Sequence, residues 1–127
     1  MFESSDEEVT RFLQAYAPSQ CIFQEGDAGE SMYVVQDGAV SVCVERDGSS
    51  VQLRVLQKGE IFGEMALVDR SPRSASAIAG PEGAKVLAID SAHFVYLVSQ
   101  QPAFALVVLQ AVVSRLRGKV EEPAVAP

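Results

Sequence analysis

Between Cys21 and Asp90, apolar and polar residues alternate in short runs, and turn-forming dipeptides separate the runs. Val40, Val42 and Val44 alternate with Ser41, Cys43 and Glu45, and Val51, Leu53 and Val55 alternate with Gln52 and Arg54. A period of two puts each apolar set on one face of a strand, so the chain needs a sheet with a covered face. Turn signals recur at Gly26-Asp27, Asp37-Gly38, Asp47-Gly48, Lys58-Gly59 and Gly80-Pro81. Asp-Gly between alternating runs marks a hairpin. Short strands at this spacing predict an antiparallel sandwich or jelly-roll barrel over residues 20–90.

Both flanks read as helical. Ser5 caps an N-terminal helix within residues 1–19, Glu8 closes a capping box, and the acids between them suit the positive end of the helix dipole. Val9, Phe12, Leu13 and Tyr16 give it one apolar face, and Pro18 ends it. Beyond the strands, Asp90 or Ser91 caps a helix to about Ser99, with Phe94, Leu97 and Val98 facing inward. Pro102 suits the first turn of a second helix reaching about Arg117, where Gly118 is placed to stop it. The expected order is an N-terminal helix, a roll at 20–90, two helices over 91–118 and a Pro/Ala tail at 119–127. At 127 residues, this is one domain with enough chain to bury a core.

Composition removes several classes of function. Hydrophobic residues make up 48% of the chain and charged ones 21%, which fits a soluble globular protein rather than a disordered one. A net charge of −7 argues against a nucleic acid partner, because non-specific affinity there comes from Lys and Arg. Arg115, Arg117 and Lys119 suit the negative end of a helix dipole without invoking DNA. No run approaches the roughly 18 apolar residues of a membrane span. The acidic start Met1-Phe2-Glu3-Ser4-Ser5-Asp6-Glu7-Glu8 lacks a basic leader region, so a cytoplasmic protein without a membrane partner is expected. Cys21 and Cys43 form no CxxC and read as reduced packing residues. A metal-dependent barrel enzyme needs clustered ligands, and the single His93 has no motif around it. Neither a catalytic set nor a metal site can be assembled, and no enzyme is expected.

Residues 62–77 read FGEMALVDRSPRSASA. Arg73 lies among Ser74, Ala75, Ser76 and Ala77, small residues that leave room around a guanidinium. Gly63 lets the backbone approach something closely, and Glu64 supplies an acceptor in the same loop. Together they suit a ligand carrying both an anion and a hydroxyl.

At these residues the sequence resembles the cyclic nucleotide-binding domain family, over about Ile22 to Leu116. FQEGDAGESMYVVQDGAVSV is similar to the family's opening hairpins, with Gly26, Asp27, Gly29, Tyr33 and Gly38 in their expected places. LQKGEIFGEMALVDRSPRSASA resembles its phosphate-binding cassette. The resemblance implies an antiparallel β-roll (a double-stranded β-helix or jelly roll), mainly β with flanking helices, which binds a ligand without a cofactor. It also implies a ligand site at Phe62, Gly63, Glu64, Met65, Ala66, Arg73, Ser74 and Ala75. There Gly63 to Ala66 open a helical turn with free amides toward the phosphate. Arg73 pairs with the phosphate oxygens, and Glu64 accepts from the ribose 2′-hydroxyl. Ser74 and Ala75 lie against the ligand, which is cyclic AMP or alternatively cyclic GMP. Gly26, Gly38 and Gly59 read as structural turns, and Asp27 and Glu30 as solvated loop acids.

Two alternatives stand beside this reading. Glu64 and Arg73 as an exposed ion pair would give a ligand-free scaffold of the same fold. The chain could also be a segment of a larger nucleotide-regulated protein, although starting at Met1 and ending in a tail favours a stand-alone module. Transcription factors of this family continue into a helix-turn-helix, and none is expected here. That helix is apolar nearly all round, from Phe104 to Leu116, with Gln110 and Ser114 on a narrow polar stripe. Such a helix must be covered on more than one side. One side is expected to face the barrel and the nucleotide base, the other a partner helix in a homodimer or another protein.

Overall fold

The computed structural model describes residues 11–121, with side chains as far as Ser114. In chain order come β1 (Leu13–Tyr16), β2 (Cys21–Phe23), β3 (Ser31–Arg46), β4 (Ser49–Leu56), β5 (Ile61–Phe62), α1 (Glu64–Asp69), β6 (Ser76–Asp90), α2 (Ser91–Gln100) and α3 (Ala103–Glu121). All strand pairs are antiparallel. The sheet runs β1-β6-β3-β4, with β2 also on β6 and β5 also on β3. This is the expected β-roll with helices packed on it.

Its spine is one long ribbon. β3 pairs with β6 from Ser31 opposite Asp90 to Cys43 opposite Ser76, with register shifts at Val35/Asp37 and Gly38/Val40. Asp37-Gly38 and Gly80-Pro81 therefore lie inside continuous strands, not at the turns expected of them. Gly38 has φ 75 and sits so close to β6 that a Cβ there would lie 2.3 Å from the Gly83 carbonyl oxygen. Four residues of β6, from Gly80 to Gly83, stand between the partners of Gly38 and Val40, so the ribbon bulges on the β6 side without ending. Asp47-Gly48, by contrast, is the two-residue hairpin turn between β3 and β4, both residues at positive φ (53° and 79°). Gly26 and Gly59 stand in turns closed by Asp27 N to Gln24 O and by Glu60 N to Gln57 O, each 3.0 Å.

The N-terminal segment departs from its expected form. Leu13–Tyr16, read as part of a helix, is a strand whose residues face Leu87 to Ala84 on β6. Its apolar spacing fits either element, and pairing along β6 decides the matter, because an uncovered strand edge leaves backbone groups unpaired. Ser5, Glu8 and Val9 lie outside the described residues.

Two apolar clusters fill the domain. Val35, Val40, Leu56, Phe62, Ala77, Ala79, Ala84 and Val86 occupy the roll, with Phe23 and Tyr33 against them. Met32, Val34, Ile61, Leu87, Ile89, Leu97 and Phe104 pack where the helices cover it, flanked by Phe94, Val98, Val108 and Ala111. Neighbouring residues of β3, such as Val34 and Val35, thus serve opposite faces. Asp90 caps α2 by accepting from the His93 amide at 2.9 Å. His93 itself is exposed, with Nδ1 2.9 Å from Asp90 Oδ1 and its ring 4.6 Å from Phe12. Gly118 does not stop the last helix, which continues to Glu121. A glycine inside a helix costs only about 1 kcal/mol and is outweighed by the turns around it. The side chains of Arg115, Leu116, Arg117 and Lys119, and the tail at 122–127, lie outside the description.

α3 buries Phe104 completely but leaves Leu106, Leu109 and Val113 at 62%, 56% and 45% exposure. Cys43 is buried, whereas Cys21 is exposed and so does not fill the core as expected. Its thiol donates to the Phe23 carbonyl at 3.2 Å. No helix among the described residues is long and apolar enough to cross a membrane.

Candidate functional site

β5 is only two residues long and pairs with Tyr33 and Val34. Gly63 then turns the chain at φ 75, ψ 11, and α1 begins at Glu64. A left-handed conformation favours glycine here, and so does crowding: a Cβ would lie 2.7 Å from Arg73 Nη1. α1 ends at Arg70, which is also left-handed (φ 57). The next turn is held by Asp69, whose Oδ1 accepts from the amide and hydroxyl of Ser71 at 2.9 and 2.5 Å. These bonds hold the Asp69 carboxyl below its usual pKa. The loop then returns to Arg73.

Arg73 is buried within the loop, at 6% exposure. Its amide donates to Asp27 O at 2.8 Å, and its carbonyl accepts from Gly26 N at 2.7 Å. Nη1 donates to Gly63 O at 3.0 Å and Nη2 to Ser31 O at 2.8 Å. The guanidinium carbon stands 4.2 Å from the Phe23 ring centroid and 5.6 Å from that of Tyr33. Gly29 forms one wall, where a Cβ would fall 2.3 Å from Arg73 Nε. That Nε is buried and has no hydrogen-bond partner. Burial draws the Arg73 pKa down, while Tyr33 and Asp27 draw it up. The group nonetheless stays a cation, since an arginine starts too high to lose its proton.

Glu64 is also buried, at 4% exposure. The exposed-pair alternative for Glu64 and Arg73 therefore falls, because neither side chain is at the surface. Phe62 points into the roll, its ring 5.0 Å from Tyr33 and nearly parallel to it. Ala66 is buried, Gly63 and Ala75 are half-buried, and Met65 and Ser74 face solvent. The loop thus gathers Phe62, Gly63, Glu64, Ala66 and Arg73 at one end of the roll and turns Met65 and Ser74 outward. Phe23, Ser31 and the wall formed by Gly29 were not among the sequence-selected site residues. The opening hairpin motif included Gly29 and Tyr33, but nothing local assigns them to an arginine forty or more residues away.

Among the described residues no group of three His, Cys, Asp or Glu side chains gathers as a metal site. A separate cavity of about 120 Å³ lies between α1 and the start of α2, lined in part by Glu30, Arg70, Asp90 and Ser91. Of the sequence-selected site residues it shares only Ala66.

An antiparallel roll with helices on one side and a buried arginine in the loop before its last strand is the form of a β-roll regulatory domain. The family described as "Cyclic nucleotide-binding domain" matches residues 13–101, and the chain belongs to that family. The chain is 37% identical over 81 residues to the "cAMP-dependent protein kinase type II regulatory subunit" of Drosophila melanogaster, covering 64% of this chain and 22% of that one. It is 39% identical over 67 residues to the "cGMP-dependent protein kinase" of Plasmodium berghei (strain Anka), covering 53% of this chain and 7% of the relative. Among solved structures, the Thermus thermophilus Catabolite Activator Protein superposes with a TM-score of 0.75 at 30% identity, over 93% of this chain and 58% of that one. The chain therefore spans less than two thirds of each of these three proteins. It is a cyclic nucleotide-binding domain.

Proposed function

We propose that this chain is a non-catalytic sensor module that binds a cyclic purine nucleotide, preferably cyclic AMP, and signals through α3. The observation that carries this reading is Arg73, a buried guanidinium whose Nε has no acceptor in the protein. Leaving such a donor unpaired is costly, and a singly charged phosphate supplies both the acceptor and the counter-charge. In this reading Arg73 takes the phosphate oxygens, and the amides that open α1 from Gly63 to Ala66 face the same anion. Glu64 accepts from the ribose 2′-hydroxyl, and Phe62, Met65, Ser74 and Ala75 complete the surroundings. The match to the "Cyclic AMP receptor protein" of Thermus thermophilus covers 80% of this chain and that to the "cGMP-dependent protein kinase, isozyme 1" of Drosophila melanogaster 68%, which supports cyclic AMP.

Leu106, Leu109 and Val113 support a second part of the reading, a homodimer formed through α3. If the ligand shifts α3, binding and self-association are linked, and the linkage is reciprocal. Calorimetry with cyclic AMP and cyclic GMP tests the binding. The expected result is heat with both, tighter binding of cyclic AMP, and intact nucleotide recovered after incubation. Absence of heat and of any thermal shift points to a ligand-free scaffold, and disappearance of the nucleotide points to an enzyme.

A further inference from the structure

Three strands meet around Arg73: β2 and β3 set rings over the guanidinium, β5 packs a third ring against those two, and main-chain contacts lie beside each strand. β3 supplies Tyr33 and the Ser31 carbonyl; β5 supplies Phe62 and, one residue later, the Gly63 carbonyl. β2 ends in Phe23, and the turn that follows exchanges two backbone hydrogen bonds with Arg73 through Gly26 and Asp27. The rings touch one another: Phe23 lies 5.7 Å from Tyr33 and 5.9 Å from Phe62, centroid to centroid. Of the two rings facing the guanidinium, Phe23 is the nearer by more than an ångström. Its aim has a local cause. The β2–β6 register slips between Cys21, opposite Ile78, and Phe23, opposite Ala77. A bulge of this kind redirects the side chain beside it.

A ring under a guanidinium uses the flat face of the cation and leaves its N–H edge free for acceptors in the plane. The ring therefore fixes the tilt of the fork without consuming a donor. Gly29, lacking a Cβ, lets the fork settle to that depth. We infer that Phe23 is a positioning residue for the ligand's anion: it holds the Arg73 plane so that its N–H edge meets the phosphate. This rests on the cyclic nucleotide reading above. Phe23 need not touch the nucleotide itself.

The test is a set of variants read by calorimetry with cyclic AMP, beside a ligand-free measurement. Phe23→Leu keeps apolar bulk but removes the ring face, and should weaken binding about three- to tenfold. Phe23→Tyr, which keeps the ring, should recover most of that loss. In an Arg73→Lys background, where no planar cation remains to stack, Phe23→Leu should cost less than in the parent. An equal cost in both backgrounds, or no cost in the parent, overturns the proposal, since a merely structural ring would act alike in both. The ligand-free arm is the NMR resonance of Arg73 Nε–H, which a ring face shifts upfield and Phe23→Leu should release downfield. An unmoved resonance also overturns it. If the parent protein binds neither cyclic AMP nor cyclic GMP, the binding reading fails, and the resonance still decides whether Phe23 holds the fork.

Discussion

Arg73 and Glu64 are charged side chains hidden from water, whereas Leu106, Leu109 and Val113 are apolar side chains facing it. Proteins ordinarily arrange these types the other way round. The loop keeps its buried cation by spending main-chain carbonyls and an aromatic face on it, so each part of the loop is tied to another strand. The outer side of α3 has no such ties, and its inner side is anchored through Phe104. Over-determined polar burial and under-covered apolar exposure are different kinds of incompleteness. The first asks for a small ligand that fits a fixed site, and the second for a broad surface.

The largest effect should come from removing the anchor that separates the two sides of α3. Phe104→Ala deletes a fully buried ring and should cost about 3–5 kcal/mol in denaturant unfolding. A loss below about 1 kcal/mol would mean that α3 is not held where the contrast requires. Next is the loop: Arg73→Ala should weaken cyclic AMP binding by about 2–5 kcal/mol, or roughly 30- to several-thousand-fold, measured by calorimetry on protein shown to be folded. Unchanged affinity would make the buried cation structural only. Leu109→Glu probes the opposite side of the contrast. Sedimentation across a concentration series should show self-association weakened about tenfold or more, with the unfolding free energy changed by less than about 0.5 kcal/mol. A parent protein that stays monomeric with and without nucleotide would remove the dimer from the reading.

The smallest effect concerns Asp69, at the rim of the loop. Its pKa is lowered in the folded protein by Ser71. The stabilisation this gives is present above the unfolded pKa and lost as pH falls through the folded one. Ser71→Ala should move the Asp69 carboxyl back toward the ordinary value in an NMR titration, with nucleotide affinity left as it was.

Much of this contrast was legible in the chain itself. The alternation at Val40, Val42 and Val44 marks a strand correctly, although a register shift at Val42/Cys43 buries Cys43 as well as Val44, and Asp47-Gly48 forms the hairpin its sequence signals. Asp37-Gly38 carries the same local signal yet lies within a continuous strand, since only its pairing with Lys85 and Ala84 across the sheet distinguishes it from a turn. Leu13 and Tyr16 fit a helical stripe until their pairing with β6 is known. The cassette stands out because Gly63, Glu64 and Arg73 lie close in sequence, so their chemistry can be read together. Phe23 and Ser31 reach Arg73 across 42 residues or more, and nothing near them in sequence signals it.

β6 begins just after the arginine loop at Ser76 and runs without interruption to Asp90, and α2 starts at the next residue. A hinge needs slack, and this junction has none: the Asp90 backbone ends the strand opposite Ser31, and its carboxylate caps the helix. The heading of α2 is therefore set by the sheet's own twist where β6 leaves it. What steers α2 is the last stretch of β6, Val86 to Asp90, which pairs in unbroken register with Val35 to Ser31, while two register shifts separate that stretch from the arginine loop.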